Sequence, residues 1–286
     1  MPISNLYAWD YNFYSLLQRS TSNNFYQSTQ ATEHDIYTTI SGTVQMSNKR
    51  NILYATYMAQ KYTNITANDN STLNLNWTYH QTKKQDYSLG LFRQVYQQTP
   101  TNITDTSSSN QGAKFVSSWY KTFSNTQSGY LNLTLSYFDY YVSALRKDQS
   151  IDFSTGLQTY LGNFFSLTPS FSTSFLKSND PYYEYFSIGP AMYFSYFPTE
   201  KLIFYTSGSY QYTSYAKRTF SLTSLSGEVV SASEKQTLVV IDVGIIYNIN
   251  KYVPLQLSYS HSKNSSNYSY RDYKLSTISM SLSVNL

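Results

Sequence analysis

The chain has 286 residues and a formal charge of +4 spread along its length, without the clustered Lys/Arg footprint of a nucleic-acid binder. Tyr occurs 32 times and aromatics reach 18%, which excludes a disordered chain, while charged residues are only 13%, about half the usual share. There are no cysteines, hence no disulfide framework or thiolate metal site, and the best apolar run, Leu238 to Tyr247, is broken by Asp242, too short for a membrane helix.

What remains is sheet, and the residues alternate as a sheet with one apolar face requires. In chain order the apolar rows begin with Tyr7, Trp9, Tyr11 and Phe13, then Ile36, Ile40, Val44 and Met46, then Leu53, Ala55, Tyr57 and Ala59. The fourth is the clearest, with Leu73, Leu75, Trp77 and Tyr79 separated by Asn74, Asn76 and Thr78. Tyr87, Leu89, Leu91 and Val95 follow, then Ala113, Phe115 and Trp119, where Val116 and Tyr120 compete for the same side, then Leu131, Leu133, Leu135 and Tyr137. The second half gives Ile151, Phe153 and Leu157; Phe165, Leu167, Phe171 and Phe175; Ile188, Met192, Phe194 and Tyr196; and Leu202, Phe204 and Tyr210. The last rows are Val239 to Tyr247, Val253 to Tyr259 and Ile278 to Leu286, each in steps of two. Pro169 and Pro190 fall inside expected strands, where a missing N–H is tolerated only at edges or bulges.

Fourteen rows predict an all-β fold, a transmembrane antiparallel up-and-down barrel occupying residues 1–286 as one domain. The connections alternate as such a barrel demands. Ser47–Asn51, Thr82–Asp86, Ser124–Ser128, Leu161–Asn163, Pro198–Lys201 and Asn248–Lys251 are brief, whereas Gln18–Glu33, Gln97–Gln111 and Ser214–Lys235 are long. Short turns belong to the periplasmic side and both termini fall there, predicting a bacterial outer-membrane location. The opening MPISNLYAWDYNF has no basic segment followed by an apolar one, so the sequence reads as a mature or trimmed form.

Outward apolar rows define inward polar ones. The candidate pore-lining residues are Asp10, Asn12, Asn74, Asn76, His80, Asn132, Thr134, Asp242 and Gln256. They are mostly uncharged and form no ring of one sign, which predicts a weakly selective pore for small neutral solutes rather than an ion-selective channel; a lumen filled by side-chain hydrogen bonds, with little conduction, fits the same residues. His34, His80 and His261 are isolated, with His34 and His261 expected in polar loops, and a Ser near a His is expected by chance in so Ser-rich a chain. An embedded hydrolase is therefore the weakest alternative, and no catalytic residue, cofactor or metal is expected. Asn-x-Ser/Thr triplets such as those at Asn76 and Asn132 follow from composition. Tyr247, Tyr252, Tyr259, Tyr268 and Tyr270 suit the boundary between hydrocarbon and headgroups.

The end of the chain, YSHSKNSSNYSYRDYKLSTISMSLSVNL, resembles the last hairpin of bacterial outer-membrane barrels, which are porin-like in general pattern. The resemblance implies that the strand carrying Ile278, Met280, Leu282, Val284 and Leu286 is the signal read by the barrel assembly machinery, with Leu286 standing where the usual terminal residue is aromatic. The strand number also resembles the barrel part of surface-lipoprotein assembly modulators. Expected partners are the lipid bilayer, lipopolysaccharide and the assembly machinery. A subunit or anchor of a secretion, polysaccharide-export or surface-assembly complex, with further outer-membrane or periplasmic subunits, is the alternative to the pore.

Overall fold

The computed structural model describes residues 10–22, 35–63, 69–96, 109–140, 146–223, 229–268 and 271–285, with 222–223 and 229–230 described by backbone only. Fourteen strands account for nearly all of it: β1 Asp10–Ser22, β2 Asp35–Ser47, β3 Asn51–Tyr62, β4 Asn70–Thr82, β5 Gln85–Tyr96, β6 Asn110–Ser124 and β7 Gln127–Tyr140. Then follow β8 Lys147–Leu161, β9 Phe165–Ser178, β10 Tyr185–Thr199, β11 Leu202–Thr223, β12 Val229–Asn250, β13 Val253–Ser266 and β14 Tyr273–Asn285. Each pairs antiparallel with its sequence neighbours, and β14 pairs with β1 from Asn285↔Tyr14 to Thr277↔Ser22, closing the barrel. Closure leaves no row of unpaired backbone groups for hydrocarbon to meet. Tyr7, Trp9 and Leu286, placed in rows by the sequence, lie outside the described residues.

The alternation survives residue by residue. Tyr11, Phe13 and Leu17 on β1 and Ile278, Met280 and Leu282 on β14 are more than a third exposed on the outer face, where a soluble fold would bury them. On β6 the contest is decided for Ala113, Phe115 and Trp119, because their register partners are the outward Tyr137, Leu135 and Leu131. Val116 and Tyr120 therefore face inward, opposite Thr134 and Tyr130. Near the short turns the outer face carries stacked aromatics, with ring centroids of Phe165 and Tyr196 4.8 Å apart and of Tyr196 and Phe204 6.2 Å apart. Such rings sit comfortably at headgroup level.

All six brief connections predicted from sequence are tight turns, and five are fixed by a side chain of their own. Asn48 accepts from the amides of Arg50 and Asn51, Thr82 from Lys84, Ser124 from Thr126, Thr199 from Lys201 and Leu202, and Asn250 from Tyr252. Asn, Ser and Thr do this because a short side-chain acceptor mimics the backbone turn. The sixth, between β8 and β9, instead contains Gly162 at φ +66°, a conformation a side chain disfavours.

Two expectations are corrected. The stretch Ser214–Lys235, expected to be a long loop, is mostly strand: β11 and β12 run on past a register shift to Thr223 and Val229. At 22 residues each, β11 and β12 are the longest of the described strands, and their hairpin projects beyond the others. His261, expected in a loop, lies in β13 opposite Ile241 and Ser276.

The two prolines do sit inside strands, each at a gap in one ladder. Between β8 and β9 the register is continuous but the positions Leu157/Pro169 and Gln158/Thr168 are unpaired, and between β10 and β11 the same holds at Gly189/Gln211 and Pro190/Tyr210. Proline offers no N–H to the strand on that side. Against the first gap the outer surface has a hollow of about 560 Å³ walled by Trp119, Phe123, Leu131, Leu157 and Phe171.

Candidate functional site, the inner wall

Every candidate lining residue lies on the inward rows, but the structure spreads them around the circumference instead of gathering them. Asp10 and Asn12 are on β1, Asn74, Asn76 and His80 on β4, Asn132 and Thr134 on β7, Asp242 on β12 and Gln256 on β13. Four of the nine are engaged with wall neighbours. His80 Nδ1 and Asp86 Oδ1 are 2.7 Å apart, Asn132 donates to Ser154 at 3.3 Å, Ser207 donates to Asp242 at 2.9 Å, and Gln256 donates to the Tyr205 hydroxyl at 2.7 Å. These bonds satisfy polar side chains along the wall rather than across the lumen.

The feature sequence reading missed is a set of inward aromatics seated on inward glycines of adjacent strands. A Cβ on Gly156 would meet the Tyr130 ring at 2.5 Å, one on Gly244 the Tyr205 ring at 2.5 Å, and one on Gly112 the Phe92 ring at 2.5 Å. Glycine here is a bed: the neighbouring ring lies down over it, as in aromatic rescue of a strand glycine. Tyr205 is held there from two sides, by Gln256 and by stacking with Tyr193 at 6.0 Å. Rings flattened on the wall leave more of the cross-section to water than rings standing upright. Phe92 in turn packs on Phe138 at 5.3 Å, bordering a concavity of about 440 Å³ that also contains Lys114, Ser136, Asp152 and Tyr185. The signal for this site was the parity of β6, which turns Lys114 inward once Phe115 is turned outward.

At the loop end the inner wall becomes charged and buried. Arg146 binds Asp148 at 2.5 Å with the carboxylate fully buried, and its guanidinium lies 4.2 Å from the Tyr140 ring and 3.5 Å from the Tyr183 ring. Tyr182 and Tyr183 belong to a 3-10 turn, Pro181–Tyr183, initiated by the Asp180 side chain accepting from the Tyr182 amide. Arg218, in the register shift of β11, covers Tyr182 at 4.5 Å and Tyr215 at 3.8 Å and approaches the buried Glu234 at 3.8 Å. Arg271 donates to the Tyr182 hydroxyl at 3.2 Å. Three arginines thus clasp one pair of tyrosines, combining ion pairing with cation–π contact.

No family model matches the sequence, and no curated protein matches it. Solved structures do. A bacterial polysaccharide outer membrane secretin aligns at TM-score 0.59 and 11% identity, covering 100% of both chains. The outer membrane channel DcaP of Acinetobacter baumannii aligns at 0.53 and 9%, covering 98% of each. An anion-selective porin from Comamonas acidovorans aligns at 0.51 and 7%, covering 98% of this chain and 100% of that one. The fold is that of an outer-membrane β-barrel.

In this outer-membrane barrel charge is sorted by face. Among described strand residues, the carboxylates of Asp10, Asp35, Asp86, Asp148, Asp152, Glu234 and Asp242 occupy inward positions, and Asp139 alone lies on an outward row, opposite Lys147. Basic residues on the strands mostly face outward, with Lys114 and Arg218 the inward exceptions. An arrangement of three or more metal-ligating side chains is absent among the described residues. His80 and His261 sit on opposite faces of the wall, the latter bonded to Ser276 at 2.9 Å, and His34 lies outside the described residues.

Proposed function

We propose that the chain forms a water-filled pore across the bacterial outer membrane for small neutral polar solutes, with weak charge selectivity and the long loops at the cell surface. The observation that carries this reading is the inner wall: amide and hydroxyl side chains satisfied along the wall, and Tyr130, Tyr205 and Phe92 laid flat on glycines. Aromatic faces among hydroxyls and amides suit a sugar ring, which offers an apolar C–H face and a rim of hydroxyls. Of the inward carboxylates, Asp148 and Glu234 lie beside Arg146 and Arg218 and Asp86 beside His80, while Asp152 and Asp242 take hydrogen bonds from Ser174 and Ser207, with Lys114 an inward cation beside Asp152. On this reading reversal potentials in a salt gradient stay near zero.

Planar-bilayer recording and liposome swelling with mono- and disaccharides test the proposal. Discrete channels with sugar flux are expected; a folded barrel giving neither ends the pore reading. The same aromatic wall suits a longer glycan leaving the cell, the second reading. Flux of oligosaccharides, or co-purification with periplasmic subunits under gentle extraction, distinguishes export from passive diffusion.

A further inference from the structure

At the loop end the outward rows finish in cations. On β1, β3, β5, β8 and β9 these are Arg19, Lys61, Arg93, Lys147 and Lys177, all exposed. Toward the barrel middle the same rows turn apolar, for example Leu17 beyond Arg19, Leu91 beyond Arg93 and Phe175 beyond Lys177. A charge at mid-membrane costs about 2–4 kcal/mol on a barrel surface and little at the interface, so these positions mark where headgroups begin.

The row is densest on β12, β13 and β14. Lys263 and Lys274 are register partners on the same outward face, and Lys263 is also opposite Val239, one outward row from Thr237 and two from Lys235. All three lysines are exposed, and His261 lies one outward step below Lys263. Two exposed ammonium groups side by side can both donate to one multivalent anion. The nearby carboxylate of Asp272, just ahead of β14, accepts the Ser266 amide at 2.5 Å. Below the lysines the rows read Val239 and Ile241, Tyr259 and Leu257, and Ile278 and Met280, a surface for acyl chains.

We propose that the outward face formed by Lys235, Lys263 and Lys274 binds the phosphorylated headgroup of a glycolipid of the lipopolysaccharide class, its acyl chains lying on the apolar rows beneath. The proposal rests on the reading that the loop end faces the outer leaflet. Flexible ammonium groups on apolar stems suit phosphates at a membrane interface. The sorting of acids to the inner wall and bases to the outer one favours the same ligand.

The test reconstitutes the folded barrel in phosphatidylcholine nanodiscs with graded lipid A and counts retained lipid A per barrel after gel filtration in detergent. Wild type is expected to retain lipid A in preference to phosphatidylglycerol and phosphatidylcholine. At roughly a fivefold change per lysine near an anionic surface, Lys235→Gln/Lys263→Gln/Lys274→Gln is expected to weaken retention on the order of a hundredfold. Lys49→Gln/Lys83→Gln/Lys84→Gln, at the short-turn end, is expected to behave as wild type. Equal retention by the loop-end triple variant, or equal loss in the short-turn control, overturns the proposal. Lys263→Gln alone, expected to lose roughly fivefold, carries the test if the triple variant does not fold. Bilayer conductance of the same samples is expected to be unchanged by all these substitutions, so failure of the pore reading shows separately.

Discussion

The two ends of the barrel are held by different means. At the short-turn end five of the six hairpins close themselves, with an Asn, Ser or Thr accepting an amide two or three residues on, and the sixth turns through Gly162. At the loop end the wall is held by partners far apart in sequence: Arg218 with Glu234 and Tyr182, Arg271 with Tyr182, and Arg146 with the Tyr183 ring. The first end is a series of independent local decisions, the second one cooperative cluster. The difference predicts that substitutions add at one end and fail together at the other.

The sharpest way to break the contrast is Arg146→Ala. It strands the fully buried Asp148 carboxylate without its ion pair, and an uncompensated buried charge costs about 3–5 kcal/mol. Urea unfolding in lipid vesicles should show that loss. Arg218→Ala combined with Arg146→Ala should cost measurably less than the sum of the two, since both act on the Tyr182–Tyr183 turn; strict additivity would dissolve the cluster into separate contacts. Asn48→Ala should cost only about 1 kcal/mol in the same assay, the net worth of a partly solvated hydrogen bond. If it rivals Arg146→Ala, the two ends do not differ as argued. Gly244→Val should leave stability within roughly 1–3 kcal/mol of wild type, the usual cost of overpacking. It should also lift Tyr205 off the wall and reduce single-channel conductance. The smallest change is expected from Lys263→Gln, within about 0.5 kcal/mol of wild type, as for surface sites away from special contacts.

The same contrast explains what could be read from the sequence. Alternation and turn chemistry are local, so the strand number, the outward rows and all six short turns were legible, down to acceptors such as Asn48 and Thr199 that lie beside the amides they bind. The face that each candidate residue joins was legible by parity, whereas the neighbours it meets there were not. Lys114 was missed because the rivalry of Val116 with Phe115 blurred the phase of β6, which only the register with Leu135 resolves. The long hairpin of β11 and β12 was read as a loop because the three-residue offset between Ser214↔Lys235 and Thr219↔Ser233 interrupts the period of two. Glu234 and Arg218 lie within that offset, so the sequence gives no reason to bring them together. The glycine beds were illegible for another reason: Gly244 and Tyr205 are neighbours only through the pairing of β11 with β12.

The two proline gaps turn the barrel from a uniform hoop into a segmented one. A closed ring of strands resists bending because every link is tied, and here the ties are missing at Leu157/Pro169 on one seam and at Pro190/Tyr210 on another, with β9 and β10 fully paired between them. Those two strands form a stave whose ladder is interrupted once on each side. Fewer ladder ties at the two seams predict that any departure of the cross-section from a circle is largest there. Amide exchange should begin in the wall at those seams, while the β14–β1 closure stays protected.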